Sequence, residues 1–310
     1  MQLDKTRIAI RERSHVELLD LTFHLIRAHA GRLTLLLIIG AAPFALLNAW
    51  LIGWIPVTHY EGHFDEDDLL EYARYFSNGA LLVFLQAPLA TALVTLHLGK
   101  AVFVPRPTFR SLLEDLRFSW TKLFWCQGIW RLSILATLSL FLMDRNDEYS
   151  PVEALFLLGG SAGVALIRSV RPFLCEVILL ERNPLISSRS GTMTIGRRMS
   201  LLHASGGGEF FSRWLSTCLV ALVLQFMIYQ VILFLQGVFL NDWRHSTLLM
   251  LHIAYPLSLW CVAGYMAVNR FLSYLDTRIR NEGWEVDLLL KAEAARLEAH
   301  TREEANLVRS

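Results

Sequence analysis

Six long apolar runs alternate with polar connections along this chain, and each run is about the length of a bilayer crossing. A hydrocarbon core about 30 Å thick takes roughly 20 mostly apolar residues as a helix. The runs fall at Leu33–Ile55, Gly79–Leu98, Leu123–Met143, Val152–Val170, Leu215–Leu240 and Leu248–Val268. They are too long and too uniformly apolar for strands, and the alternating segments of a transmembrane β-barrel are missing. Backbone polar groups in lipid must pair within their own segment, so each run is predicted to be a helix. The predicted fold is all-α: a polytopic transmembrane bundle of about six spans.

Charge sorts the connections into two sets. One set carries most of the arginine and lysine: Arg7, Arg11 and Arg13 ahead of the first span, Lys100, Arg106 and Arg110, then Arg182, Arg197 and Arg198, then Arg270, Arg278 and Arg280. The other set has only Arg74, Arg145 and Arg244, among acids such as Asp65, Glu66, Asp67 and Asp144. By the positive-inside rule both termini are expected in the cytoplasm. The first thirty residues are polar and charged, so an uncleaved anchor rather than a cleaved signal peptide is expected.

Composition adds little beyond this. The net charge of +1 hides the sorting of charges, and the 54% apolar content suits a membrane protein. Cys126, Cys175, Cys218 and Cys261 lie in or beside spans without metal-site spacing, so they read as packing residues. Residues 1–32 are expected to form an amphipathic cytoplasmic lead-in helix, with Leu18, Leu19, Phe23 and Ile26 on its apolar face. Residues 33–270 hold the spans, with a cytoplasmic loop at 182–213 whose Gly206-Gly207-Gly208 reads as a hinge. Residues 271–310 are expected to form a charged, helical cytoplasmic tail. A second reading lets Phe173–Leu180 dip separately into the membrane.

Charges inside spans call for a functional hypothesis. Arg131 is the clearest case, about 18 Å from the outer boundary at 1.5 Å per residue if the third span is one straight helix. Arg168, Arg171 and Glu176 follow near the inner face, where the arginines are expected to pair with Glu176 or face a lipid phosphate; the competing reading is snorkelling to the interface. Gly159 and Gly163 give the fourth span a small face suited to helix packing. Pro43, Pro88 and Pro256 predict kinks. Gln86, Gln127, Gln225 and Gln230 are expected to bond between helices. His59 and His63, in an acidic outer loop, are the weak metal candidates, since the Gly62 between them disfavours the helix that such a pair needs.

Three stretches carry a resemblance: Glu17–Phe23, Arg171–Arg182 and Phe271–Glu285. In this order they resemble a family of uncharacterised bacterial six-span membrane proteins, distantly similar to the membrane domain of glycerophosphodiester phosphodiesterases. The catalytic barrel of those enzymes has no counterpart here, so the resemblance implies a bacterial cytoplasmic (inner) membrane location and no phosphodiesterase activity. No H-E-x-x-H, G-x-S-x-G or paired intramembrane aspartate appears. The expectation is a non-enzymatic accessory protein without cofactor, working with membrane lipids and a membrane-protein partner, and with no nucleic acid. The alternative is a transporter of lipids or small molecules built on the kinked spans.

Overall fold

The computed structural model describes residues 14–58, 66–102, 107–142, 155–186, 193–203, 207–245 and 247–282, and no strand occurs among them. The first helix, α1 (His15–Ile52), opens on a capping box. The Ser14 hydroxyl accepts the Glu17 amide, and the Glu17 carboxylate accepts the Ser14 amide, each at 3.3 Å. Two of the amides left unpaired at a helix start are thereby satisfied. From there the helix runs on into the first predicted span. Its one irregularity is His29 (φ −119°, ψ 18°), and Pro43 causes no break.

The lead-in segment is therefore not a separate surface helix. Leu18 and Thr22 are buried, Leu21, Leu25 and Ile26 pack on the core, and Phe23 is 47% exposed. The inward stripe follows the 3.6-residue period but is rotated from the expected face, because it packs on protein rather than on a headgroup layer.

Two of the predicted spans are broken. Helices α2 (Glu66–Ala90) and α3 (Ala92–Ala101) meet at a 40° bend just after Pro88. Helix α4 (Phe109–Leu123) continues as a π turn, Phe124–Ile129, and is separated from α5 (Ser133–Leu142) by a 61° bend. Leu132 sits at this break with φ 59°, a left-handed conformation that costs a non-glycine residue about 1–2 kcal/mol. The third span is thus not straight, and a depth for Arg131 reckoned along one helix does not hold.

A π turn, Leu155–Gly159, leads into α6 (Gly160–Val170). Next comes α7 (Leu174–Glu176), extended by a π turn to Glu181. Phe173, Cys175, Val177, Ile178 and Leu179 are each no more than 1% exposed. This segment is buried in the protein core. Helix α8 (Ile195–His203) and α9 (Gly207–Leu240) follow. Gly207 and Gly208 belong to the first turn of α9, and Gly206, the first residue of the expected hinge, lies outside the described residues. A last π turn, Met250–Ala254, precedes α10 (Tyr255–Glu282). Pro256 cannot donate to the His252 carbonyl one turn back, which suits the wider turn there.

Helix α10 is the centre of the bundle and packs on α1, α2, α3 and α9. Phe271, Leu272 and Tyr274 are buried in the main core with Leu18, Leu96 and Ile178. The start of the expected tail, 271–282, is therefore core helix; the rest of it, 283–310, lies outside the described residues. Among the described residues, α1, α9 and the helix ending in α10 are long and apolar enough to cross a membrane. Counting each bent pair as one crossing makes five, and the apolar helix Leu157–Val170 is shorter. Helix α9 leaves Leu219, Leu222, Phe226 and Phe234 exposed, an apolar face of the kind that lipid tails can cover.

Candidate functional site

The broken helices create the site's first requirement, which is donors for stranded carbonyls. Pro88 has no amide, so the Phe84 carbonyl one turn earlier loses its usual helical donor. Arg168, reaching over from α6, supplies one. Its Nη1 donates to the Phe84 carbonyl at 2.5 Å and its Nη2 to the Leu85 carbonyl at 3.0 Å. Its guanidinium also lies 4.4 Å from the centre of the Phe84 ring. The Ser133 hydroxyl donates to the same Leu85 carbonyl at 3.1 Å. Arg131, at the α4–α5 break, does the same for the end of α6. There Arg171 leaves helical geometry (φ −131°, ψ 69°), and its carbonyl accepts from Arg131 Nη2 at 2.8 Å.

Arg131 and Arg168 are 4% and 8% exposed, so neither snorkels. Their forked donors serve backbone carbonyls at two breaks at once, a role that lysine, with a point charge, fills less well. The expected pairing with Glu176 is not what forms. Glu176 is fully buried, and its partner is Arg270, with Nε at 2.5 Å from Oε1. The side chain of Arg171 is exposed and contributes only its carbonyl to this site. Arg270 had counted merely as an inner-face charge. The signal for it was the apolar period continuing past residue 268 as Phe271, Leu272 and Tyr274. Cys175 also bonds to the Pro88 carbonyl through its sulfur at 3.5 Å. Arg168 Nε, Arg270 Nη2 and Glu176 Oε2 are buried without a hydrogen-bond partner.

Below this buried layer, one end of the bundle is tied by ion pairs. Glu181 accepts both Nε and Nη2 of Arg198 (2.6 and 2.9 Å) and the Tyr274 hydroxyl (2.7 Å). Asp276 holds Arg213 at 3.1 Å and Arg280 at 3.0 Å. Asp115 holds Lys100 at 2.7 Å and Arg182 at 2.6 Å. Arg182 stands at φ 55° as α7 ends, and Lys122 donates to the carbonyls of Arg182 and Asn183 (3.3 and 3.0 Å). Cations at a helix C-terminus meet its partial negative charge. Together these contacts link α3, α4, α7, α8, α9 and α10. His203, at the end of α8, lies between Phe173 and Phe210 and donates from Nδ1 to the Met199 carbonyl at 2.7 Å. Burial holds its pKa below the usual histidine value; the bond to Met199 opposes this, and the Arg171 and Arg131 charges reinforce it.

A cavity of about 540 Å³ opens among these pairs, between α3, the start of α4, α7 and α10. Leu96, Leu179, Leu180, Phe271 and Leu275 form its apolar wall, and Lys100, Asp115, Arg182 and Arg278 its polar rim.

The other predicted features divide. Gln86 forms a reciprocal amide pair with Asn48 (2.8 and 2.9 Å) and donates to Thr137, and Gln225 donates to Ser258. Gln127 is buried but its side-chain amide has no partner. Gly159 and Gly163 are exposed and turn away from the bundle, so they form no close helix contact. Tight approaches occur at other glycines, among them Gly40, against the Ala90 backbone, Gly99, against Leu180, Gly264, against Leu37, and Gly160, whose Cβ would meet Leu132 Cδ1 at 2.9 Å. The four cysteines are unpaired. His59 and His63 lie outside the described residues, and no metal-binding group of His, Cys, Asp or Glu forms among the described ones. Against known proteins, the chain matches no family model, no curated protein and no solved structure.

Proposed function

We propose that this chain is a non-enzymatic accessory protein of the bacterial cytoplasmic membrane, with six crossings and both termini inside, which presents a rigid charged face to a partner or to lipids. One observation supports this reading over transport: at two of the helix breaks a side chain of the chain itself takes the freed carbonyl. The carbonyl stranded by Pro88 is taken by Arg168, and the carbonyl at the end of α6 by Arg131. Transporters use broken helices to coordinate substrate with freed backbone groups. Here protein side chains already occupy those groups. The ion pairs of Asp115, Glu181 and Asp276 tie the same end of the bundle, which suits a fixed platform.

The test is native mass spectrometry of the protein extracted with its surrounding lipid in a membrane-solubilising polymer. A stoichiometric protein partner or lipid is the expected result, and an empty protein that catalyses solute flux in vesicles would overturn the reading. Reporter fusions test the topology, with Asp67 expected outside and Arg110 and the C-terminus inside.

A further inference from the structure

Helix α4 sorts its residues into sectors, and one apolar sector lies outside the core. Leu112, Leu116, Ser119 and Leu123 face the bundle: three of them are at most 2% exposed, and Leu116 packs on the main core. At about 100° per residue, Phe109, Leu113, Trp120 and Phe124 fall together in the neighbouring sector, about 60° wide. They are 38–48% exposed. The next sector round holds Arg110, Glu114, Arg117 and Thr121, all exposed. On the side away from the apolar sector, Asp115 holds Lys100 and Arg182. Phe118 is exposed on that side too, but its ring has Lys122 Nζ at 5.2 Å and the Arg182 guanidinium at 5.8 Å.

Length and charge keep this helix from crossing a bilayer. Its 15 residues reach about 22 Å, against about 30 Å of hydrocarbon, and Arg110, Glu114, Asp115, Arg117 and Lys122 fall within them. The 61° bend before α5 turns it away from the direction of the apolar helix that follows. Arg110 and Arg117 border the apolar sector as lipid phosphates border acyl chains, so the order of side chains across the helix matches the order of groups across a leaflet. Helices with aromatic residues and leucine on one face and arginine on the other lie in the interface plane. Trp125 and Trp130, both exposed, carry the aromatic side chains on to the bend, and tryptophan collects at that level.

We infer that α4 lies in the membrane plane at the inner-leaflet boundary, with Phe109, Leu113, Trp120 and Phe124 among the acyl chains and Arg110 and Arg117 at the phosphates. The ion pairs of Asp115 then stand on the cytoplasmic side. The inference rests on the membrane location and inner-face orientation proposed above. It names the surface through which the charged end meets lipid.

Nitroxide labels on Leu113→Cys, Glu114→Cys, Trp120→Cys and Thr121→Cys, one per protein, test it. The full chain has Cys126, Cys218 and Cys261 replaced by alanine, keeps the buried Cys175, and sits in nanodiscs of phosphatidylglycerol and phosphatidylethanolamine. Collision with oxygen, which concentrates in lipid, is compared with collision with a water-soluble nickel chelate. The expected depth at Leu113 and Trp120 is about 5–10 Å inside the phosphates, with Glu114 and Thr121 at or outside them. Phe109→Cys serves if the Trp120 variant fails to fold. Equal access of nickel to all four positions overturns the inference, since α4 then stands in water. Labels at Leu113 and Trp120 shielded from both reagents overturn it as well, since protein then covers the stripe, and so do four labels all within the acyl region. A label on Leu222→Cys, at an exposed position of α9, keeps the membrane reading apart. Oxygen access at Leu222 with nickel access along α4 strikes this inference alone, whereas nickel access at Leu222 strikes the membrane reading itself.

Discussion

Replacing Arg168 with leucine strands the Phe84 carbonyl, and Pro88 decides how much that costs. The arginine makes two charge-assisted hydrogen bonds, to Phe84 and Leu85, and lies over the Phe84 ring. The Leu85 carbonyl keeps a donor in Ser133, but the Phe84 carbonyl loses the donor that replaced its missing helical amide. A buried carbonyl without a partner costs about 1–3 kcal/mol, and bonds to charged donors are worth about 1.5–3 kcal/mol each. Against this, the substitution removes the cost of burying a guanidinium whose Nε is unpartnered. The net loss expected is about 2–3 kcal/mol. Pro88→Ala restores an amide aimed at Phe84. In that background Arg168→Leu is expected to cost about 1–2 kcal/mol less. Equilibrium unfolding in mixed micelles, with denaturing detergent as the titrant, measures the four corners of this cycle. Additivity of the two substitutions within about 0.5 kcal/mol would refute the claim that Arg168 substitutes for the missing amide.

Glu176→Gln leaves Arg270 without its counter-charge and is expected to destabilise by about 3 kcal/mol in the same assay, with Glu176→Leu/Arg270→Met recovering most of the loss. Gly40→Ala puts a methyl group on the Ala90 carbonyl and is expected to cost about 1–3 kcal/mol, whereas Gly163→Ala, with open space around it, is expected to be neutral or to gain about 0.5–1 kcal/mol. His203 has a depressed pKa when folded, so the unfolded chain binds its proton first as pH falls. Its contribution to stability is therefore present above about pH 6.5 and is lost as pH falls through the folded value, with a slope of at most about 1.4 kcal/mol per pH unit. Thermal unfolding of the protein and of His203→Gln between pH 7.5 and 5.5 should show that excess slope only with the histidine present.

Hydropathy carries the helical class well, because a run such as Leu215–Leu240 has no other way to satisfy its backbone in lipid. The boundaries in α1 and α10 were harder to read. Arg27 and Arg32 look like the end of a surface helix, and Arg270 looks like the start of a tail. Continuity across those charges depends on what faces them: Asn269 against Thr22 and Thr217, and Glu176 against Arg270. Such partners lie far apart in the chain. The breaks were half legible. Pro88 announces one, while the one at Leu132 has no proline or glycine at the residue with positive φ, only a packing niche at Gly160. Charges within apolar runs drew attention to Arg131, Arg168 and Glu176, and all three are buried. The two arginines bond to backbone carbonyls, which no side-chain pattern encodes, and Glu176 pairs with Arg270, far along the chain.

The claim that these breaks are locked rather than moving meets its most direct test in a distance measurement. Spin labels at the exposed positions Phe118 and Leu201, on α4 and α8 at the charged end, are placed in a protein with Cys126, Cys218 and Cys261 replaced by alanine and set in lipid nanodiscs. Pulsed electron–electron double resonance should give one narrow distance distribution, unchanged with pH, added lipid or added solute. Two populations that exchange weight when a solute is added would contradict the account and return the chain to the transporters.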